Sequence, residues 1–248
     1  MVDAYSDDDG GGAFARLRRL FGSTFDILIG LLSLAYVVGV FGFIIKDAAS
    51  GFSKDRTGLR TITASRWNDR TLAFSIDGAD RNGRAAKFDV VVLTKMYGWV
   101  RGSTTELERG ETRLSPDDIS REVFTQQLRE GLGSARELIA VGLASQEGEV
   151  ERETQRAGLR AARIAEWVRE AVGRSIPIWT LNLGRYVEVC ADCETEDTSW
   201  QRPFIVVAVR VADPGTDIGE ALAVALSDKS NLPSPSRYST FALSKFTK

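Results

Sequence analysis

From residue 87 onward, short apolar runs of strand length alternate with longer amphipathic stretches, and this alternation limits the folds open to the chain. A hairpin is also predicted, from two hydrophobic runs, 71–77 and 87–100, that are joined by the turn-rich segment GADRNGRAA. The predicted strands are 71–77, 87–100, 137–144, 176–184 and 202–211, and the predicted helices are 115–130, 149–173 and 218–226. The order from 87 is strand, helix, strand, helix, strand, strand. It predicts an α+β fold, a mixed sheet with helices on one face.

The most apolar stretch lies nearer the N-terminus. Residues 27–45, ILIGLLSLAYVVGVFGFII, contain no charged side chain. At a helical rise of about 1.5 Å per residue the run spans roughly 28 Å, close to the hydrocarbon thickness of a bilayer. A cleaved signal peptide is the alternative, but its apolar region would be only about 7–15 residues long and followed by a small-residue cleavage site. The sequence therefore predicts an uncleaved transmembrane helix over residues 26–46.

The composition around this run predicts the remaining domain organisation. Residues 1–25 begin with the acidic, glycine-rich MVDAYSDDDGGG, which is typical of a disordered tail. Residues 47–70 are polar without a sustained period and predict a stalk, 71–230 form the folded domain, and 231–248 form a C-terminal tail. Arginine and lysine flank both ends of the apolar run, but the first cluster usually dominates, so the N-terminus is expected in the cytoplasm.

The charge and the histidine content exclude several classes of function. The 248-residue chain has a net charge of −2, which gives no electrostatic reason to expect a nucleic-acid partner. It contains no histidine, so catalysis by Ser-His-Asp or Cys-His groups is excluded. The commonest metal ligand is also missing. The sequence predicts a binding protein, with no enzymatic activity, no metal and no cofactor.

Cys190 and Cys193 are the only cysteines, in the motif CADC. In a reducing compartment such a pair is a candidate redox motif or half of a zinc site. No second pair and no histidine complete a zinc site, and outside the membrane a disulfide closing a tight loop is the simpler interpretation.

Residues 141–168 join the end of a predicted strand to a charged helix, and their spacing resembles a known signature. The OmpA-like, peptidoglycan-associated domain family carries the motif G-H-T-D-x-x-G-x-x-x-x-N-x-x-L-S-x-x-R-A-x-x-V. The positions that match it, or replace its letters with similar residues, are Gly142, Gly148, Ala157, Arg160, Ala161 and Ile164. The similarity covers residues 87–211, and RPFIVVAV resembles the closing strand of that fold, which usually begins with arginines.

The resemblance implies a single-pass protein of the bacterial inner membrane, in which one membrane helix is followed by a βαβαββ core. It also implies that this C-terminal domain lies in the periplasm and binds peptidoglycan. It makes Arg160 the cation for the carboxylate of a wall peptide, with Ser145, Gly148 and Glu153 completing the ligand-binding set. Ser145 stands where the family has its aspartate, and Glu153 where it has an asparagine. The site is therefore degenerate. In the alternative interpretation, Arg160 belongs to a solvated helix face whose arginines pair with glutamates.

Asp26, at the start of the apolar run, suggests a second function. STFDILIGLLSLAYVV resembles the membrane helix of MotB-type stator subunits, in which one aspartate carries protons beside a partner channel protein. That resemblance implies a polytopic membrane partner and a homo-oligomer. The alternative is that Asp26 is an ordinary flanking residue at the headgroup level. The sequence thus leaves three candidate functions: a peptidoglycan anchor, a stator-like subunit, and a protein-binding scaffold of the cell envelope.

Overall fold

Two β-sheets organise the described part of the chain. The computed structural model describes residues 65–66, 70–94, 96–173, 176–188, 198–227, 229 and 232–247. Strands β1 to β10 are numbered in chain order. The larger sheet contains Ser65–Arg66 (β1), Thr71–Ala79 (β2), Ala85–Leu93 (β3), Glu137–Ala144 (β7), Ile178–Arg185 (β8), Ile205–Ala212 (β9) and Ala242–Lys245 (β10). The smaller contains Tyr97–Trp99 (β4), Leu107–Arg109 (β5) and Thr112–Arg113 (β6).

The larger sheet is mixed, with the strand order β1-β2-β3-β9-β7-β8-β10. Strands β7 and β8 are parallel and every other neighbouring pair is antiparallel. The last long strand, β9, lies between β3 and β7. Strands β7 and β9 are nearly continuous apolar runs without alternation, as expected for central strands that are buried on both faces.

Four α-helices accompany the sheets in the described residues. They are Pro116–Asp118 (α1), Gln126–Gly133 (α2), Val150–Val172 (α3) and Ile218–Leu226 (α4). The predicted helix 115–130 is divided: α1 continues as a π-helical segment, Ile119–Val123, and a new helix starts where the Thr125 side chain accepts a hydrogen bond from the Leu128 N–H. Short 3₁₀ segments lie at Ser199–Gln201 and Pro235–Arg237.

Helix α3 packs directly on the centre of the sheet. A Cβ added at Gly142 of β7 would lie 1.9 Å from the Ala157 carbonyl oxygen and 2.7 Å from the Ala161 nitrogen. Only glycine in the strand and small residues in the helix allow this approach. Farther along α3, Ile164 and Val168 belong to the main hydrophobic cluster together with residues of β7, β9 and α2.

Helix α4 covers the opposite face of the same sheet. Gly78 of β2 lies under α4, since an added Cβ would be 2.0 Å from the Ala221 carbonyl oxygen. Gly78 and Phe74 lie on the same face of β2. Phe74 pairs with Val90 of β3, Val90 pairs with Val207 of β9, and Val207 pairs with Ile139 of β7, so Ile139 lies on that face as well. Along β7, Ile139 lies three residues from Gly142, which faces α3, so the two residues lie on opposite faces of the sheet. The described helices therefore pack on both faces of the sheet.

The predicted fold class is consequently wrong, although α+β with a mixed sheet describes the domain. Within the residues described, no helix has the length and apolar character needed to span a membrane. The longest, α3, is charged along much of its length. The run 27–45 and Asp26 lie outside the described residues. The helices also do not all lie on one face of the sheet, as the sequence predicted. Helix α4 is a short apolar segment after β9, and the face on which it packs depends on the register of the strands beneath it.

The segments predicted as stalk and C-terminal tail each contribute a strand to the larger sheet. Strand β1 lies in 47–70 and pairs with β2, and β10 lies in 231–248 and pairs with β8. Leu243 of β10 pairs with Leu181, and its side chain contacts the start of α4 near Gly219. Both ends of the sheet order are thus built from segments in which the sequence predicted no strand.

Asp80 ties the hairpin between β2 and β3 to the start of α4. Its buried carboxylate accepts hydrogen bonds from the backbone N–H groups of Asn82 (2.9 Å), Arg84 (3.0 Å) and Asp217 (3.0 Å), and from Arg84 Nε (2.7 Å). Burial acts to raise the pKa of Asp80, but the hydrogen bonds from Asp217, Arg84 and Asn82 outweigh it and hold that pKa well below its ordinary value.

The depressed pKa of Asp80 makes the domain sensitive to acid. The stabilisation is fully present above the unfolded pKa of about 4 and is lost as the pH falls through the lower folded pKa. We expect the wild-type melting temperature to fall steeply below about pH 4, and that of Asp80→Asn, lower at neutral pH, to fall less over the same range. Parallel acid dependence of the two melting curves would contradict the role assigned to this carboxylate.

Gly142→Ala tests the contact between β7 and α3. Because the new methyl group meets backbone atoms of α3, we expect the free energy of unfolding to fall by about 2–3 kcal/mol or more, measured by urea denaturation. Gly133→Ala is the matched control, since a Cβ there meets nothing within 4 Å. Its effect should stay within about 0.5 kcal/mol. Equal effects of the two substitutions would show that the close packing is not needed.

Candidate functional site

A cleft lies where the C-terminal end of β7, the start of α3 and the turn after β4 meet. Its volume is about 230 Å³. The described residues that line it are Arg101, Gly102, Ser145, Glu147, Gly148, Glu153, Arg156 and Arg160. The structure thus brings together in one cleft the predicted ligand-binding set of Ser145, Gly148, Glu153 and Arg160.

Arg160 is the most deeply buried charged side chain of this cleft, with 1% of its surface exposed. Its Nε donates to the Ser103 carbonyl (3.0 Å) and its Nη1 to the Leu143 carbonyl (2.9 Å). The guanidinium carbon lies 5.2 Å from the ring centroid of Trp99. Within the described part of the chain, no carboxylate forms an ion pair with Arg160. The interpretation of Arg160 as part of a solvated helix face is therefore wrong.

The charge of Arg160 is held in an unfavourable environment. Burial and, to a smaller extent, the positive charges of Arg202 and Arg156 lower the pKa of Arg160 to about 9, while Glu153 acts in the opposite direction. At neutral pH the guanidinium still carries its proton. It is a desolvated cation next to other cations, an arrangement that favours an incoming anion.

Ser145 follows the last residue of β7 and is buried beside a second arginine. Arg202 Nη1 lies 3.5 Å from Ser145 Oγ and donates to Thr198 Oγ1 at 3.0 Å. Arg202 is itself buried and precedes β9, the strand next to β7. The strand end therefore presents a hydroxyl group with a guanidinium behind it.

The two glutamates among the described lining residues already have partners. Glu153 is buried, forms an ion pair with Arg156 and packs over Gly148, where an added Cβ would lie 2.3 Å from its Oε1. Glu147 forms an ion pair with Arg101 at 2.9 Å and accepts a hydrogen bond from the Thr198 hydroxyl.

The small sheet supplies one wall of the cleft. Arg101 and Gly102 lie in the turn between β4 and β5, and Gly102 has the positive φ of 76° that favours glycine. The adjoining Ser103 carbonyl accepts the hydrogen bond from Arg160, while Trp99 of β4 stacks on Trp167 of α3 with ring centroids 5.7 Å apart. No sequence pattern indicates this wall, because the position of a short hairpin relative to α3 depends on tertiary packing.

The loop between β7 and α3 is held on both sides at Gln146. The Gln146 N–H donates to Gln201 Oε1 at 2.9 Å, and its carbonyl accepts from Arg185 Nε at 2.9 Å. Gln201 is fully buried, and its own carbonyl accepts from the Tyr238 hydroxyl at 3.0 Å. These contacts fix the loop that carries Ser145 and Gly148.

Sequence reasoning missed part of this arrangement. The sequence contains a usable signal for Arg202, because RPFIVVAV resembles a closing strand that begins with arginines, but the motif spacing does not include this residue in the site. Gln201, Trp99 and Arg101 carried none. The proton-carrying candidate Asp26 and the predicted disulfide of Cys190 and Cys193 lie outside the described residues.

Comparison of the chain with protein-family models, with curated proteins and with solved structures finds no match. The OmpA-like resemblance therefore rests on residues 87–211 of the sequence alone.

Gln201→Ala tests whether the loop is fixed through Gln146. Loss of the acceptor removes a hydrogen bond worth about 0.5–1.5 kcal/mol, so amide exchange of Gln146 should accelerate by up to about tenfold. NMR-detected hydrogen exchange measures this residue by residue. Gln126→Ala, which removes a side-chain hydrogen bond to Glu130 on the exposed side of α2, should leave the Gln146 rate unchanged. An unchanged exchange rate in Gln201→Ala would show that the Gln201 side chain does not hold the loop at Gln146.

Proposed function

We propose that this domain binds peptidoglycan through the cleft, with Arg160 as the cation for a carboxylate of the wall peptide. The observation that carries the proposal is the burial of Arg160 without a carboxylate partner among the described residues. Its Nε and Nη1 donate to backbone carbonyls, while further N–H donors of the guanidinium have no described acceptor. Such a function requires the domain to lie in the periplasm.

The energetics favour an anionic ligand. A buried charge without an opposite charge is strongly unfavourable, because the protein interior replaces little of the hydration that the ion has lost. Two hydrogen bonds and the ring of Trp99 compensate part of this loss at Arg160. A ligand carboxylate adds a charge-assisted and potentially bidentate pair. The site gains more from a carboxylate than from a neutral group.

The size of the cleft limits what enters it. Its volume of about 230 Å³ is below the range of roughly 300–1,000 Å³ that accommodates drug-sized ligands. One amino-acid residue at the end of a peptide fits this space, whereas a glycan strand has to remain outside. Under the proposal, the part of peptidoglycan that enters the cleft is therefore the end of a wall peptide.

The OmpA-like spacing supports the same assignment. Arg160 stands at the arginine of the family signature, and Gly142 and Gly148 stand at its two glycines. Ser145 replaces the family aspartate, and this removes one carboxylate from the ligand set. We accordingly expect weak binding, dominated by the contact between Arg160 and the ligand carboxylate.

Co-sedimentation of the full-length chain with isolated peptidoglycan tests the proposal. Arg160→Met keeps a side chain of similar length without the cation, and we expect binding to fall by about 100-fold or more, since breaking a desolvated charge pair costs about 3 kcal/mol or more. The matched control is Arg163→Met, which removes only a partly exposed ion pair with Glu166. It should bind like the wild type.

Far-UV circular dichroism at the assay temperature establishes that both variants are folded. The proposal fails if the wild-type chain is not retained on peptidoglycan, or if folded Arg160→Met is retained as well as the wild type.

A further inference from the structure

An aromatic cluster lies at the sheet edge that carries the cleft, and the binding of a peptide carboxylate does not use it. Strands β7 and β8 are parallel, and the Tyr186 N–H, directly after β8, donates to the Ala144 carbonyl at the end of β7 (2.9 Å). The Tyr186 ring makes edge-to-face contacts with Trp200 and Tyr238, with ring centroids 5.2 and 5.4 Å apart. The two tyrosines are buried, whereas Trp200 is half-buried. Trp200 is therefore the member of the cluster that a ligand can reach.

The residues on either side of Trp200 attach it to the loop between β7 and α3. The Thr198 hydroxyl donates to Glu147, which lines the cleft. The Gln201 side-chain oxygen accepts from the Gln146 N–H at 2.9 Å. Because both contacts go to this loop, the aromatic cluster and the cleft share it as a common border.

Polar groups in fixed positions surround the aromatic cluster. The Tyr186 hydroxyl donates to Glu188 Oε2 at 2.7 Å, and Arg237 Nη1 forms an ion pair with the same oxygen at 2.9 Å. The Glu188 side chain is 45% exposed. A pyranose sugar presents an apolar face of C–H groups and a rim of hydroxyl groups, so an aromatic ring with planar polar side chains beside it matches both parts. The cluster has the chemistry of a sugar-binding surface.

We infer that the aromatic cluster is a second subsite, in which Trp200 stacks on an uncharged N-acetylated sugar of the glycan strand while the cleft holds the end of the wall peptide. This inference rests on the proposed function, because it concerns the rest of the same ligand. When the last residue of a four-residue stem peptide fills the cleft, three residues connect it to the sugar, and they span at most roughly 10 Å. The sugar is therefore restricted to the surface next to the cleft, where the aromatic cluster lies.

Two soluble ligands that differ only in the sugar test the subsite on the full-length chain. Isothermal titration calorimetry compares a stem tetrapeptide with the same peptide joined to its disaccharide. We expect the wild type to bind the disaccharide peptide about tenfold more tightly, because stacking on the indole adds to the contact at Arg160. Trp200→Ala should bind both ligands as the wild type binds the free peptide, and Trp200→Phe, which keeps an aromatic face, should retain part of the preference.

The matched control is Trp179→Ala. It removes a half-buried indole that donates to Glu137 near the opposite end of β8, so the wild-type preference should persist. Far-UV circular dichroism establishes that the variants are folded. An unchanged preference in folded Trp200→Ala would overturn the inference.

An NMR titration of the wild type needs no variant and separates this inference from the proposed function. We expect the disaccharide peptide to shift both the Trp200 indole N–H and the Arg160 Nε–Hε resonances, and the free peptide to shift only that of Arg160. If both ligands shift Arg160 and neither shifts Trp200, the inference is overturned and the proposed function stands. If neither resonance moves with either ligand, both are overturned. A shift of Trp200 alone by the disaccharide peptide would support the sugar subsite and overturn the assignment of the cleft to the peptide.

Discussion

The position of α3 over the sheet depends on the close contact between Gly142 of β7 and the first half of α3. The absence of a side chain at Gly142 lets the backbone of Ala157 and Ala161 lie directly on the strand. Arg160 is adjacent to this contact, so its side chain is held beside the end of β7 instead of reaching solvent. The same packing brings Trp167 against Trp99 and thereby positions the small sheet. This close backbone approach thus links the packing of α3 on the sheet to the place of Arg160 in the cleft.

Burial of Arg160 connects the fold to its proposed function. Its guanidinium joins the main sheet to the small sheet, because it donates to Leu143 at the end of β7 and to Ser103 in the turn after β4. Carbonyl partners compensate the lost hydration without neutralising the charge. A protein interior selected for stability alone would pair this cation with a carboxylate, or would have an apolar side chain in its place. The cation is therefore the feature that most requires a functional explanation.

Much of the secondary structure could be predicted because the local patterns were unambiguous. The apolar run of β7 and the apolar segment of α4 coincide with the predicted ranges 137–144 and 218–226. The faces covered by the helices could not be predicted, since the position of α4 depends on the pairing of β2 with β3 and of β3 with β9. Strand β10 was missed for a related reason: ALSK has only four residues, two of them polar, and its pairing with β8 stabilises it as a strand.

The candidate site shows the same division between local and tertiary information. Motif spacing identified Ser145, Gly148, Glu153 and Arg160, which all line the cleft. Spacing along one segment carries no information about residues from elsewhere in the chain, so the contributions of Trp99, Arg101 and Gln201 were missed. The electrostatic character of the cleft depends on these distant partners as much as on the motif.

The central claim is that the Arg160 guanidinium binds a ligand carboxylate. The most direct measurement is an NMR titration of the arginine side-chain Nε–Hε resonances with a soluble wall peptide. The account predicts a saturable shift of the Arg160 resonance while that of Arg163 remains in place. Shifts spread evenly over the exposed arginines, or an unchanged Arg160 resonance at saturating peptide, would contradict it.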